Sequence, residues 1–174
     1  MNIETERLVL RTFRESDTDA YAEMVGDAEV MRFLGGKVMS RQEAWRNMAM
    51  VLGHWGLRGY GFWAVEERES GEMIGRVGCW RPEGWPALEV GWTLRRAYWG
   101  RGYATEAARA SLEHAFDALG ETHVVSLIDP NNSASIRVAE RLGERPEGEW
   151  EVFGIKVLIY GIDREEWRAR SKRG

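Results

Sequence analysis

The sequence predicts a single layered domain of the α/β class (mixed α+β) that spans residues 1–174. Three observations predict it. Segments with strand and helix periodicity alternate in the order β-α-α-α-β-β-β-α-β-α-β-β-α. Apolar residues make up 44% of the chain, which is enough to build a core at this length. The sequence contains no internal repeat, low-complexity segment or linker that would divide it into separate units.

The N-terminal part predicts one strand and two helices. Residues 7–13 alternate between apolar and polar side chains, which is typical of a strand. The polar run Ser16-Asp17-Thr18-Asp19 signals the start of a helix that continues through Val25. A short helix should restart at Gly26-Asp27, with apolar residues at 30, 31 and 34, and Gly35-Gly36 is expected to end it.

A third helix and three strands come next. Ser40 and Glu43 have the spacing of a capping box, so a helix should begin there, and Gly56 is expected to end it. Alternating or apolar runs separated by turn residues then predict strands at 60–66, 73–80 and 87–94.

The most informative segment is Trp99-Gly100-Arg101-Gly102-Tyr103-Ala104-Thr105-Glu106-Ala107, which joins the third of these strands to a long helix. Its glycines allow the backbone to approach another group closely. A helix N-terminus presents unpaired N–H groups and a positive dipole end, so the turn is suited to bind a phosphate. It lacks the Gly-Lys-Ser/Thr of a nucleoside triphosphate loop and the three-glycine spacing of a dinucleotide fingerprint. A plain tight turn remains the structural alternative.

The helix after this turn carries the clearest helical period, with Gly120 at its end. The apolar run 124–128 predicts a buried strand beside a parallel neighbour. A helix over 133–142 should end at Gly143. The chain then predicts a hairpin about Gly154, from strands 150–153 and 156–162, and a last helical turn capped by Asp163.

Charge and composition exclude several function classes. The net charge of -4 and a pI near 5.5 argue against a nucleic-acid partner, and the basic run 168–173 is expected to be a solvated terminus. The chain has one cysteine, Cys79, which we expect to be buried. It shows neither a secretory signal nor an apolar run of about 18 residues, so no membrane partner is expected and the expected location is the cytoplasm. His54, His114 and His123 lack metal-ligand spacing, and no metal is expected.

Several segments together resemble the GCN5-related N-acetyltransferase (GNAT) superfamily, and within it the RimJ/RimL-type branch. The resemblance covers nearly the whole chain. It is carried by Glu4–Arg11, Glu89–Trp92, Trp99–Ala107, Asn132–Gly143 and Tyr160–Trp167. The branch commonly has tryptophan at the position of Trp99.

The resemblance implies a fold and a co-substrate. The fold is a central mixed, mostly antiparallel sheet of about seven strands, with helices on both faces and a parallel pair of strands that splay apart. The co-substrate is acetyl-coenzyme A, whose pantetheine arm lies in that gap. The residues implied to bind it are Trp92, Thr93 and Leu94 through the backbone, Trp99, Gly100, Arg101, Gly102, Tyr103, Ala104 and Thr105 around the pyrophosphate, and Asn132 and Ser135 beside the thiol and pantetheine.

Three residues are candidates for catalysis. Glu89 is the first candidate for the general base, because apolar neighbours raise the pKa of a carboxyl; the alternative is an ion pair with Arg76. Glu151 is the second candidate, or else a surface charge. Ser135 could protonate the departing thiolate, or its hydroxyl could be satisfied by the backbone. The superfamily's frequent tyrosine acid corresponds to Ala139, and its usual aromatic after the helix-ending glycine to Glu144.

The hypothesis from the sequence is therefore an N-acetyltransferase that acts on a primary amine, either a protein N-terminus or a small molecule. The alternative is a non-catalytic acyl-coenzyme A binding or sensing module, favoured by Ala139. The acceptor pocket is expected from residues 30–55, the loop 80–86 and the last hairpin. Most of the nine tryptophans are expected to be core or half-buried residues, and others could line an apolar pocket or form a homodimer interface.

Overall fold

The computed structural model describes residues 2–171. Eight strands form one sheet in the order β1-β2-β3-β4-β5-β6-β8-β7. The strands are β1 (Ile3–Glu4), β2 (Leu8–Arg11), β3 (Phe62–Glu67), β4 (Met73–Trp80), β5 (Glu89–Leu94), β6 (His123–Ile128), β7 (Arg145–Val152) and β8 (Ile155–Asp163). The helices are α1 (Thr18–Gly26), α2 (Ala28–Met31), α3 (Arg41–Arg58), α4 (Tyr103–Asp117), α5 (Ser133–Leu142) and α6 (Arg164–Ser171).

The predicted fold class is confirmed. Only β5 and β6 run parallel within the described sheet, and all other neighbours are antiparallel. The sheet has one strand more than the resemblance implied. That extra strand is β1, whose two residues are too few to show any periodicity in the sequence.

Helices cover both faces of the sheet. One apolar cluster joins α4 to the strands through fully buried side chains such as Leu8, Val90 and Leu112. The other cluster joins α1 and α3 to the opposite face through Tyr21, Val51 and further side chains of β3 and β4. Because both faces are packed, residues near the middle of β5 lie between two layers of helices.

The start of α3 was predicted correctly and its end was not. Ser40 and Glu43 form the capping box, since Ser40 Oγ accepts from the Glu43 amide at 3.3 Å and the Glu43 carboxylate accepts from the Ser40 amide at 2.8 Å. The helix continues past Gly56 to Arg58 and ends at Gly59, whose φ is 75°. The residues beyond the predicted end are exposed, and the Gly59 amide closes the helix by donating to the carbonyl of Trp55 at 2.9 Å. Gly59 takes the left-handed conformation of a helix-ending glycine, whereas Gly56 lies inside the helix, where a glycine costs about 1 kcal/mol relative to alanine.

The parallel pair separates within the sheet. Its registered pairing joins Glu89 to Val125, and the Val125 amide donates to the carbonyl of Leu88 at 2.9 Å. β5 continues to Leu94 and β6 continues to Ile128. The registered pairing between them does not continue beyond Glu89 and Val125. The pair is thus splayed, as the resemblance implied.

The C-terminal hairpin is longer than predicted. β7 begins at Arg145 rather than at residue 150 and pairs with β8. The prediction missed its first five residues because they are exposed and show no apolar alternation. The run 168–173 was expected to be a solvated terminus. It is helical through Ser171, and Arg168 pairs with Asp117 at 3.1 Å, while residues 172–174 lie outside the described residues.

Two further expectations concern burial and membranes. Cys79 is buried and free, as predicted. Among residues 2–171, every helix is too short or too polar to cross a bilayer.

Candidate active site

The turn before α4 leaves the N-terminus of that helix uncapped by any side chain. Gly100 and Gly102 have φ values of 74° and 82°, which L side chains rarely adopt. Gly102 is the N-cap residue, and the first amide to bond back within the helix is that of Glu106, which donates to the Gly102 carbonyl at 3.0 Å. The amides of residues 103–105 therefore have no partner inside the helix, as the phosphate interpretation requires.

Arg7 holds this turn from the bend between β1 and β2. Its Nη1 donates to the carbonyl of Arg101 at 2.9 Å, and its Nε donates to Glu106 Oε2 at 2.7 Å. Glu106 Oε1 also accepts from the hydroxyl of Thr5 at 2.6 Å. The loop and the first turn of α4 are thus tied to the same guanidinium, which fixes the direction of the free amides.

The side chains of the two aromatic residues in this turn are already engaged. Tyr103 is buried, and its hydroxyl donates to Glu67 Oε1 at 2.5 Å. The indole of Trp99 donates to the carbonyl of Leu94 at 2.8 Å. At Tyr103, therefore, the group available to a ligand is the main chain.

On β5, the main-chain groups of Trp92 face the gap beside β6. The carbonyl of Val90 faces β6, where it accepts from Ser126, and strand main-chain groups alternate with a period of two. Trp92 lies two residues farther on, beyond the registered pairing. Thr93 follows Trp92 and is in register with Arg76 of β4.

The start of α5 lies against the same part of β5. The Trp92 indole donates to Ser135 Oγ at 3.2 Å. Asn132 is the N-cap residue, since its Oδ1 accepts from the Ser135 amide at 3.1 Å. The structure therefore brings together three residues that the sequence analysis assigned to one ligand.

Glu89 lies at the point where the strands part. Its Oε2 accepts from the Trp85 indole at 2.6 Å, and its carboxyl also accepts from the backbone amide of Leu127. Burial raises the pKa of Glu89 to about 7, although Trp85, the charge of Arg76 and the Leu127 amide each lower it. At neutral pH, this carboxyl can therefore both hold and release a proton.

The alternative interpretation of Glu89 was an ion pair with Arg76. The guanidinium of Arg76 is instead engaged elsewhere, because its Nη1 donates to the hydroxyl of Tyr21 at 2.8 Å and to Asn47 Oδ1 at 3.0 Å. It acts on Glu89 as a nearby charge.

Glu151, the second candidate base, is exposed in β7 and is in register with Lys156. Lys156 forms its ion pair with Glu149 at 2.7 Å. Of the two candidate carboxyls, Glu89 is the one at the gap between β5 and β6.

The three segments expected to line the acceptor pocket meet on one side of the molecule. The ring of Phe153, at the tip of the last hairpin, lies 6.0 Å from the ring of Trp85. A Cβ at Gly35 would lie 3.6 Å from Cδ1 of Ile155, so the segment after α2 reaches the same hairpin. Because Trp85 bonds to Glu89, this surface continues to the carboxyl.

Two of the three histidines, His54 and His123, contact polar groups of the chain. Within residues 2–171, no cluster of three or more His, Cys, Asp or Glu side chains could hold a metal ion. His123 lies 2.8 Å from Asp163 and 3.1 Å from Glu147. His54 Nδ1 lies 2.7 Å from the carbonyl of Tyr60, and burial lowers the pKa of His114.

Sequence reasoning missed a buried polar pair next to the gap. Ser126 Oγ lies 2.8 Å from the carbonyl oxygen of Val90 and 3.1 Å from Glu144 Oε1. Glu144 is 2% exposed, and burial together with the negative charges of Glu147 and Glu89 raises its pKa to about 8, although a hydrogen bond from Ser126 lowers it. Two signals were present: a serine inside an otherwise apolar strand, and a glutamate where the superfamily usually has an aromatic residue.

Comparison with known proteins supports the resemblance. The family model described as Acetyltransferase (GNAT) domain matches residues 7–145. The chain is 32% identical over 173 residues to the uncharacterised N-acetyltransferase YnaD of Bacillus subtilis (strain 168), covering 96% of this chain and 99% of that protein.

Solved structures show the same architecture. The acetyltransferase from Agrobacterium tumefaciens str. C58 matches with a TM-score of 0.84 and 30% identity, covering 94% of this chain and 95% of that one. RimL, a ribosomal L7/L12 alpha-N-protein acetyltransferase solved in complex with coenzyme A, matches with a TM-score of 0.77 and 21% identity. That match covers 94% of this chain and 98% of RimL.

Proposed function

Since the chain belongs to the GNAT family of acetyltransferases, we propose that it transfers an acetyl group from acetyl-coenzyme A directly to a primary amine bound beside it. The acceptor is a small-molecule amine or the N-terminus of a peptide. The observation that carries the proposal is the gap between β5 and β6, which has the uncapped start of α4 at one end and Glu89 at the other.

The residues present fit acetyl-coenzyme A. The amides of residues 103–105 have no partner within α4, so they can receive the pyrophosphate. The backbone carbonyl of Trp92 faces the gap and can accept a hydrogen bond from a pantetheine amide. When bound, the co-substrate supplies the activated thioester. A RimL structure that contains coenzyme A has the same fold, which supports this choice of donor.

Glu89 is the proposed general base. An ammonium has no lone pair, so the amine must be neutral before it attacks, and a further proton must leave nitrogen as the C–N bond forms. Glu89 accepts that proton, directly or through water. Its pKa of about 7 leaves a large fraction of the carboxyl ionised at neutral pH. The backbone amide of Trp92, on the side of β5 that faces the gap, is positioned to stabilise the oxyanion.

Ser135 is the proposed proton donor to the leaving group. The Trp92 indole donates to Ser135 Oγ, so one lone pair of that oxygen is occupied and its own hydrogen is free to be donated. As the C–S bond breaks, the hydroxyl passes this proton to the departing thiolate and regains one from water, while the new C–N bond holds the acetyl group on the acceptor.

Thiol release from acetyl-coenzyme A, measured with peptide N-termini, polyamines and aminoglycosides as acceptors, tests the proposal. Glu89→Gln should lower kcat/KM by about 10²–10⁴-fold. The matched substitution Glu151→Gln, in the exposed strand, should leave it within about twofold. Tight binding of coenzyme A without turnover on any amine would instead identify a non-catalytic acyl-coenzyme A binding module. An equal loss in Glu151→Gln would move the base to the hairpin.

A further inference from the structure

The hydroxyl of Ser126 sits between two oxygen atoms at the point where β5 and β6 part. It lies 2.8 Å from the Val90 carbonyl and 3.1 Å from Glu144 Oε1. A carbonyl oxygen and an ionised carboxylate are both acceptors only, and a hydroxyl has a single hydrogen to donate. Both contacts can be full two-centre hydrogen bonds only if Glu144 is protonated and donates to Ser126, which in turn donates to Val90.

The surroundings of Glu144 favour the same protonation state. The side chain is 2% exposed, and its Oε2 is buried without a hydrogen-bond partner among the described residues. An ionised carboxylate there would be an unpaired buried charge, which is far more costly than a neutral acid.

The charges of Glu147 on β7 and Glu89 on β5 each disfavour a negative charge on Glu144. The side chain of Arg170 on α6 lies against Gly143, the residue before Glu144. His123 on β6 lies against Glu147 and Asp163. On β8, Tyr160 is in register with Ser126.

This hydrogen-bonded pair stands where a sheet bond would otherwise form. Glu89 is paired with Val125. If the parallel ladder continued beyond this pair, the Leu127 amide would donate to the Val90 carbonyl. The Leu127 amide bonds to the Glu89 carboxyl instead, and Ser126 takes its place on the Val90 carbonyl. Side chains thus form the hydrogen bonds of the main-chain groups at the point where β5 and β6 part.

We propose that protonated Glu144 is a positioning residue, which acts through Ser126 to hold the Val90 carbonyl and thereby the main chain of Trp92 in place for the co-substrate. The inference rests on the proposed function, because it concerns the strand segment assigned to the pantetheine arm. If Glu144 loses its proton, it becomes an acceptor that competes with Val90 for the one hydrogen of Ser126. The Val90 carbonyl then loses its donor, and affinity for the co-substrate falls.

The test measures the Kd of acetyl-coenzyme A by calorimetry at pH 7 and at pH 9.5. The acetyl ester is used because its thiol is blocked and does not titrate. The wild-type Kd should rise about fivefold at the higher pH, as expected for the loss of one hydrogen bond. Glu144→Gln, whose amide donates at every pH, should show no such rise. Ser126→Ala should bind about fivefold more weakly already at pH 7.

A second measurement needs no ligand. At pH 7, the infrared spectrum of the wild type should contain a protonated-carboxyl C=O band that is missing in Glu144→Gln. Absence of that band, or an equal rise in Kd for both proteins, would overturn the inference while leaving the proposed function intact. Failure of every variant to bind acetyl-coenzyme A at either pH would overturn both.

Discussion

The Trp85 indole donates a 2.6 Å hydrogen bond to Glu89 Oε2, so the loop before β5 is tied to the carboxyl at the point where the sheet divides. The bond favours the ionised form of Glu89 and opposes the burial that raises its pKa. The same indole faces the hairpin tip, where Phe153 is 89% exposed. One residue thereby connects the proposed acid–base group with the proposed acceptor surface.

Trp85→Phe should raise the pKa of Glu89 above about 7, because it removes a donor that stabilises the carboxylate. We expect the acid limb of kcat/KM to move up by about one pH unit, once rates are divided by the fraction of neutral amine. Trp45→Phe, the same change at an exposed site on α3, should leave the profile in place. A downward shift would contradict the assignment of Glu89 as base.

Gly102→Ala should weaken acetyl-coenzyme A binding at least about tenfold, because a φ of 82° is strained for alanine and the turn that presents the free amides must readjust. Gly71→Ala is the matched control, since its φ is 69° and its Cβ would meet open space. Each should cost ~1 kcal/mol of stability. Calorimetry should show the loss of affinity for Gly102→Ala alone. Equal affinities would place the pyrophosphate elsewhere.

Arg7→Met should also weaken binding, by about three- to tenfold, because it releases the Arg101 carbonyl and leaves Glu106 with a weaker set of donors. Arg32→Met serves as the control, since Arg32 is exposed and its pair with Glu29 is 3.9 Å long. A titration with acetyl-coenzyme A compares the two. An unchanged Kd in Arg7→Met would show that the loop keeps its conformation without this contact.

Glu144→Gln should stabilise the protein at alkaline pH. The folded-state pKa of about 8 lies above the ordinary value of 4.5, so the folded state binds this proton more tightly than the unfolded state does. The contribution of this proton to the free energy of unfolding is fully present below pH 4.5 and is lost as the pH rises to about 8.

We therefore expect the free energy of unfolding of Glu144→Gln, relative to that of the wild type, to increase by about 2–4 kcal/mol between pH 5 and pH 9. Chemical unfolding at the two pH values measures this difference. Glu113→Gln, at an exposed position on α4, should follow the wild type at both pH values. A constant difference across this range would mean that Glu144 is not the titrating group.

Elements with strong local signals were predictable from the sequence. The capping box at Ser40, the strand 73–80 and the helix that ends at Gly143 each lie where their patterns place them. The end of α3 and the start of β7 were not predictable. The start of β7 is decided by a partner distant in sequence, through the pairing of Arg145 with Gly161. The end of α3 depends on which of two nearby glycines, Gly56 or Gly59, takes the left-handed conformation.

The candidate site divides in the same way. The open start of α4 and the cap at Asn132 follow from local sequence, and the structure has both. The bond from Trp85 to Glu89 and the pair of Ser126 with Glu144 depend on how separate segments pack. Residue type alone marks such groups as unusual but does not say which partner each one meets.

The single registered pair between β5 and β6 has a mechanical consequence. β1–β5 and β6–β8 are each joined internally by longer runs of pairing than the one that joins the two groups. The sheet therefore has a seam, along which local opening should precede global unfolding. Amide hydrogen exchange should detect two protected blocks with separate opening energies, and a ligand that fills the seam would make them open as one.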